Sequence, residues 1–229
     1  MFISELVKVK FGELFAFLGP NSAGKSTCIN ILCTLLKFEE GSIYINGLRL
    51  GRDDNLIRQQ IGIAFQNGVL DNVLSVRENL YCRGSMYGLS KREINNRINS
   101  INEIIDLESF IDRKYERLSG GQKRRADLAR ALLNPKIMFL DEPTTGLDPS
   151  TRKELWTAIK KLQGESDLTV FLTTHYLEEA ENANRIVVIN DGRIVEEGTP
   201  SELKQKLHLF FILSILLGQL PGSDRYRIG

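Results

Sequence analysis

Cysteine is scarce in this chain of 229 residues. The three cysteines, Cys28, Cys33 and Cys82, form no C-x-x-C pair and no Cys/His cluster, which argues against a disulfide framework and a zinc site and fits a reducing cytoplasm. Charge of one sign is missing as well: 30 Lys plus Arg face 29 Asp plus Glu, so no global field pulls the chain towards nucleic acid or an anionic membrane surface. There is no internal repeat and no low-complexity linker. Nor is a cleavable leader expected from Met1 to Lys10, which alternates Val7 and Val9 with Lys8 and Lys10, a strand-like pattern. The apolar run LFFILSILL at 209–217 falls short of the roughly 20 residues that a membrane-spanning helix needs, and burial against the body of the chain or a partner is expected for it.

Against this background, 42% hydrophobic residues suffice for a sizeable core. ELFAFLGP (13–20) reads as a strand entering a loop, and KSTCINILCTLL (25–36) as an apolar helix, which together make half of a parallel βαβ unit. SIYING (42–47) and IGIAFQ (61–66) read as further strands. Residues 76–107 lose strand character and predict a helical insert. Beyond them a helix is expected at 121–133, a strand at 136–141, a helix at 149–163, a strand at 168–174, a helix at 177–183 and a strand at 185–190. An Asp-Gly hairpin follows at 191–198, and a last helix opens at Pro200 and Ser201. Strands alternating with helices predict an α/β core with a mostly parallel sheet.

GPNSAGKST supplies Gly19, Pro20, Asn21, Ser22, Ala23, Gly24, Lys25, Ser26 and Thr27 between a strand and a helix. This matches G-x-x-x-x-G-K-[ST], a loop whose amides and helix N-terminus meet phosphates, with the lysine as a point charge and the Ser26 hydroxyl as a Mg²⁺ ligand. In KIMFLDEP, Asp141 and Glu142 emerge at the carboxyl end of an apolar strand, where ligands bind in open α/β sheets. Asp141 is placed to hold Mg²⁺ and Glu142 to orient or deprotonate a water. His175 ends the strand LTVFLTT and can bridge a phosphate and that water, although a lone histidine there is more often structural. Gln66, after IGIAF, could reach Mg²⁺ or water through its amide; by itself it reads as a loop residue. LSGGQKRRADLARAL (118–132) puts Ser119, Gly120, Gly121 and Gln122 at a helix start, either as a second anion-binding terminus or as a plain N-cap with Lys123, Arg124 and Arg125 solvated.

These segments together resemble the ATP-binding subunit of ABC transporters. The order of phosphate loop, Q-loop Gln66, signature LSGGQ, Walker B strand IMFLDEP, D-loop TTGLDP (144–149, with Asp148) and switch His175 carries the resemblance over residues 1 to about 207. It implies a P-loop NTPase of RecA-like core with a helical subdomain at about 68–122, followed by an atypical apolar tail at 208–229. It implies ATP and Mg²⁺, and a head-to-tail homodimer or heterodimer in which Ser119 and Gly121 contact the γ-phosphate held by the other chain. RGSMYGLSKRE (83–93), RRADLARALLNPKIMFLDEPTTGLDPSTR (124–152) and TTHYLEEAE (173–181) are most similar to the drug-exporter branch of the ABC-2 type. That branch implies a separate membrane permease that docks on the helical insert at the cytoplasmic face, and no nucleic acid. A soluble relative acting on nucleic acid or ribosomes, and an inactive truncated relative, are the other readings.

Three departures from the family pattern carry expectations of their own. Ser22 stands where glycine is common, so an unusual backbone angle is expected to cost it something. The family's adenine-stacking aromatic would fall before Met1, an N-terminus that looks truncated, and Phe2, Phe11, Phe15 and Phe17 are expected in strands and core instead. The apolar run at 209–217 interrupts what is usually a polar tail.

Overall fold

A computed structural model of the chain describes residues 7–65, 68–133, 135–165 and 168–206. β1 (Leu14–Leu18) is buried at all five positions and sends alternate side chains to opposite faces. Leu14, Ala16 and Leu18 enter one core, while Phe15 and Phe17 enter another. A strand covered on both faces must be apolar throughout, which is why LFAFL shows no polar alternation.

β1 pairs in parallel with β6 (Thr169–Thr174) on one side and β7 (Arg185–Asn190) on the other. β5 (Ile137–Asp141) and β4 (Ile61–Ala64) extend the sheet beyond β6, and β8 (Arg193–Gly198) returns antiparallel beside β7 through the Asp191-Gly192 turn. The strand order β4-β5-β6-β1-β7-β8 bears out the expected α/β class with a mostly parallel sheet. One face carries α1 (Lys25–Leu32) and α2 (Asp54–Arg58), with Phe15, Phe17, Phe139 and Phe171 as a ring cluster whose centroids lie 5.0–5.5 Å apart. The other face carries α3 (Val76–Met86), α4 (Lys91–Ile105), α5 (Gly120–Ala131) and α6 (Pro149–Glu165), packed through Leu80, Ile94, Ile98, Leu128 and Ile159.

Several expectations need correction. SIYING is no strand of the main sheet: Tyr44–Ile45 and Leu48–Arg49 (β2 and β3) form a separate two-stranded ribbon, because Asn46 at φ 50° and the following glycine make a tight hairpin turn. The helix expected at 25–36 stops at Leu32, and Thr34 at φ 64° turns the chain away. α7 (Leu177–Ala180) is shorter than expected, and α2 was not expected at all. The insert at 76–107 is two helices, each started by its own capping box, Ser75 with Glu78 and Ser90 with Glu93. Residues 7–10 take no strand assignment. Phe15 and Phe17 lie in the core as expected, whereas Phe11 is exposed. Phe2, Gln66 and the run 209–217 lie outside the described residues.

Candidate functional site

The phosphate-binding loop occupies the turn between β1 and α1. Gly24 caps α1 at φ 95°, a left-handed angle that a side chain resists. Gly19 is required for a different reason, since a Cβ there would collide with the backbone carbonyl of Ile189 at the end of β7. The loop is tied to its surroundings by Gly19 N donating to Thr174 O at 3.2 Å and Gly192 N donating to Ala23 O at 3.2 Å. Ser22 does not take a positive φ, so the strain expected for it is absent and serine fits an ordinary backbone.

Lys25 is only 2% exposed. Its Nζ donates to Gly19 O at 2.7 Å and Pro20 O at 2.9 Å and lies 3.6 Å from Glu142 Oε1. Burial lowers its pKa, and Glu142 opposes that shift. The next residue, Ser26, donates from Oγ to Asp141 Oδ1 at 3.2 Å, joining two hard oxygen donors 115 residues apart in sequence. Thr173 holds that carboxylate in place, donating to the same Oδ1 at 2.5 Å. A hydroxyl and one carboxylate fit Mg²⁺, which takes few protein ligands and fills its octahedron with phosphate oxygens and water. Among the described residues no group of three or more His, Cys, Asp or Glu is placed to hold a metal on protein ligands alone.

Glu142 is the strained member of the site, at φ 47°. Its amide donates to Thr173 O at 3.1 Å, and Thr145 Oγ1 donates to its Oε2 at 3.2 Å. His175 Nδ1 stands 3.3 Å from Glu142 Oε1, close enough for an ion pair but without hydrogen-bond geometry. Lys25, Ser26, Asp141, Glu142 and His175 thus converge at the carboxyl ends of β1, β5 and β6. The chain leaves β6, passes over β1 and enters β7 beside them, which places the site at a topological switch point.

Ser119 caps α5 with a full capping box: Gln122 N donates to Ser119 Oγ at 3.3 Å, and Ser119 N donates to Gln122 Oε1 at 3.1 Å. The cap is therefore formed, while Ser119 and Gly120 stay exposed, Lys123 and Arg125 are half-buried, and α5 has no acidic residue in its first turn. A Cβ on Gly121 would press on Thr151 Cγ2 at 3.1 Å, so the signature abuts the first turn of α6. Asp148 caps that helix, accepting from Ser150 N and Thr151 N at 3.1 Å each and from Thr151 Oγ1 at 2.6 Å. No hydrogen bond or ion pair of the described residues joins Ser119–Gln122 to the phosphate loop.

Arg124 is the residue that sequence reasoning misjudged. It is 8% exposed instead of solvated. Its guanidinium donates to Pro143 O at 2.6 Å, to Glu142 O at 3.4 Å and to Phe65 O. The signal was available in the helical spacing: Arg124 and Asp127 share the stripe with Leu128 and Ala131, and charges on a buried stripe need polar partners. Asp127, also buried, accepts from Tyr115 Oη at 2.7 Å and Val69 N at 3.3 Å.

The sequence model of the family described as "ABC transporter" matches residues 6–145. The chain is 42% identical over 200 residues to the daunorubicin resistance ATP-binding protein DrrA3 of Streptomyces coeruleorubidus, covering 86% of this chain and 63% of that protein. It is 43% identical over 197 residues to the Nod factor export ATP-binding protein I of Rhizobium sp. (strain N33), covering 85% and 64%. The chain therefore spans less than two thirds of the length of these curated relatives. Among solved structures, a dimeric bacterial ABC transporter cassette superposes with a TM-score of 0.77 at 33% identity, over 85% of this chain and 88% of that one. The cbiO1 protein of Clostridium perfringens, part of the transporter complex cbiONQ, gives 0.80 at 28% identity over 93% and 87%.

Proposed function

The chain belongs to the ABC transporter family, and on that premise we propose that it binds and hydrolyses ATP as one half of a head-to-tail dimer that powers a separate ABC-2 type membrane permease. The observation that carries this reading is the convergence of Lys25, Ser26, Asp141, Glu142 and His175 within hydrogen-bond or ion-pair reach of one another. In it the Lys25 ammonium attracts the terminal phosphates, Glu142 accepts a proton from the attacking water, and His175 orients that water. When bound by Ser26 and Asp141, Mg²⁺ neutralises phosphate charge. Gln66 is assigned to Mg²⁺ or the attacking water through its amide, and Ser119, Gly121 and Asp148 to the nucleotide held by the facing chain.

The dimer is homo- or heterodimeric. No helix among the described residues is long and apolar enough to cross a membrane, and the proposed place of the chain is peripheral, on the cytoplasmic face, with the segment around α3 meeting the permease. Exposed Val69, Val73 and Met86 support that docking side. Export of drugs or other small amphiphiles is supported by the drug-resistance and Nod-factor-export names of similar proteins.

Steady-state ATP turnover tests the reading. Glu142→Gln is expected to bind Mg-ATP normally and to lose roughly two to four orders of magnitude in kcat. A near-normal rate removes Glu142 from the role of base. Lys25→Ala is expected to abolish tight nucleotide binding in a titration.

A further inference from the structure

We infer that Glu179, a carboxylate outside all the motifs above, is a positioning residue that holds the Glu142 and His175 loops in register; the inference rests on the hydrolytic reading just proposed. Glu179 lies in α7 one turn beyond His175 and is 2% exposed. Its two oxygens divide between two loops. Oε1 accepts from Thr144 Oγ1, and Oε2 accepts from Thr174 Oγ1 at 2.7 Å. Both threonines are buried, Thr144 at 0% and Thr174 at 1% exposure.

Thr144 stands two residues after Glu142, at the start of the segment that runs to Asp148. Thr174 immediately precedes His175, and its hydroxyl also accepts from Tyr176 N at 3.0 Å. One carboxylate therefore spans the two chain segments whose side chains meet at 3.3 Å as Glu142 Oε1 and His175 Nδ1. The same β6 end touches the phosphate loop, because Thr174 O accepts from Gly19 N. No ion pair of the described residues includes Glu179, and burial raises its pKa. The Thr174 hydrogen bond and the charges of Arg152 and His175 oppose that shift without cancelling it, and a buried carboxylate with no directly paired cation is a costly way to fill space. What it supplies that a leucine would not is two acceptors aimed at opposite loops. No hydrogen bond or ion pair of the described residues joins the Glu179 carboxylate to Lys25, Ser26, Asp141, Glu142 or His175, so its proposed action runs through the loops that carry Glu142 and His175.

The test uses the purified chain and Mg-ATP, with nucleotide Kd measured by titration and kcat by phosphate release. Glu179→Ala is expected to lower kcat between about tenfold and a hundredfold, the scale of a slight misplacement of catalytic groups, with Kd and KM within about twofold. Glu179→Gln, whose amide oxygen and nitrogen can still meet both hydroxyls, is expected to stay within about threefold of wild type. In a His175→Ala background, adding Glu179→Ala is expected to change kcat by less than about twofold, because residues acting as one unit are not additive. A kcat for Glu179→Ala equal to wild type, a parallel rise in Kd, or multiplying losses in the double variant overturns the inference while leaving the enzyme reading intact. Should Glu179→Ala fail to melt cooperatively, Thr144→Val removes one arm of the same clamp and is held to the same criteria. A wild-type chain with no Glu142-dependent turnover fails the hydrolytic reading itself and the inference with it.

Discussion

Four helices among the described residues open with the same capping box, at Ser75, Ser90, Ser119 and Thr199, but only the one at Ser119 closes it with a neutral residue. Ser75 N donates to Glu78 and Ser90 N donates to Glu93 at 2.7 Å each, whereas Ser119 N donates to Gln122 at the longer 3.1 Å. The glutamates are held below the ordinary carboxylate range, Glu78 first by the Ser75 amide and Glu93 first by the Ser90 hydroxyl, so both carry charge at neutral pH. A charged acceptor at a helix N-terminus is in general worth about 0.3–1 kcal/mol over a neutral one. Gln122→Glu is therefore expected to keep or raise the melting temperature, by roughly 1–3 °C for a chain of this size. If α5 receives a partner's γ-phosphate, the same change sets a full negative charge where the anion must arrive. At about 5 Å and an effective dielectric of about 20 that repulsion is roughly 3 kcal/mol, or about two orders of magnitude in affinity. The assay is the molar mass of the Glu142→Gln protein by light scattering behind a sizing column, with and without Mg-ATP. The single variant is expected to double its mass with ATP and the Gln122→Glu double variant to remain a monomer at the same concentration. Ser75→Ala and Ser90→Ala, which lose a cap of the same kind elsewhere, are expected to dimerise normally. Unimpaired ATP-dependent dimerisation of the Gln122→Glu double variant would refute the anion-receiving role of α5, and a large fall in its melting temperature would refute the charge argument.

Arg124→Lys keeps a charge but not the fork that meets three backbone carbonyls; leaving buried carbonyls unpaired costs about 1–3 kcal/mol, so calorimetry is expected to show a melting temperature lower by roughly 3–8 °C, together with a reduced kcat as the strained Glu142 backbone loosens. Cys28 and Cys33 are buried, and burial alone pushes the Cys28 thiol up to about 11. Thiol titration of the native protein at neutral pH should therefore find Cys82 alone, and all three cysteines after denaturation. Burial pushes the Glu13 carboxyl up, but the Arg185 hydrogen bond and the Lys10 amide outweigh it and hold the group below its ordinary range. A pKa depressed in the folded state gives stability that is present above the unfolded carboxylate pKa and lost as the pH falls through the folded one. Glu13→Gln should therefore lower the melting temperature at pH 7 and flatten its decline below about pH 4.5; an unchanged acid limb would assign that decline to other carboxylates.

Much of this arrangement was legible because the chemistry sits where strands end. The runs before Gly19 and Asp141 are apolar, as befits doubly covered strands, and the run before His175 is apolar from Val170 to Leu172 before it ends in two buried threonines, so the polar groups gather at the carboxyl edge of the sheet. Local turn chemistry was read less well. The Asn46-Gly47 pair is a hairpin signal, yet the apolar residues of SIYING invite a sheet strand, and only the tertiary choice between ribbon and sheet decides. Partner choice was least legible. Thr144, Thr173, Thr174 and Glu179 are ordinary residues in a linear reading, and they matter because two loops from different strands come to lie against one another. A threonine hydroxyl has no side in sequence; it acquires one when a carboxylate from another element is buried within reach. Arg124 stands between these cases. An arginine on the buried stripe of α5 announces that it needs carbonyls, but that those belong to Phe65, Glu142 and Pro143 follows only from β4 and β5 lying side by side beneath the helix. The same adjacency has a mechanical consequence. The helix that starts at the exposed Ser119 grips the backbone of Glu142 one turn later, so any displacement of α5 is passed to the strained residue at the centre of the site.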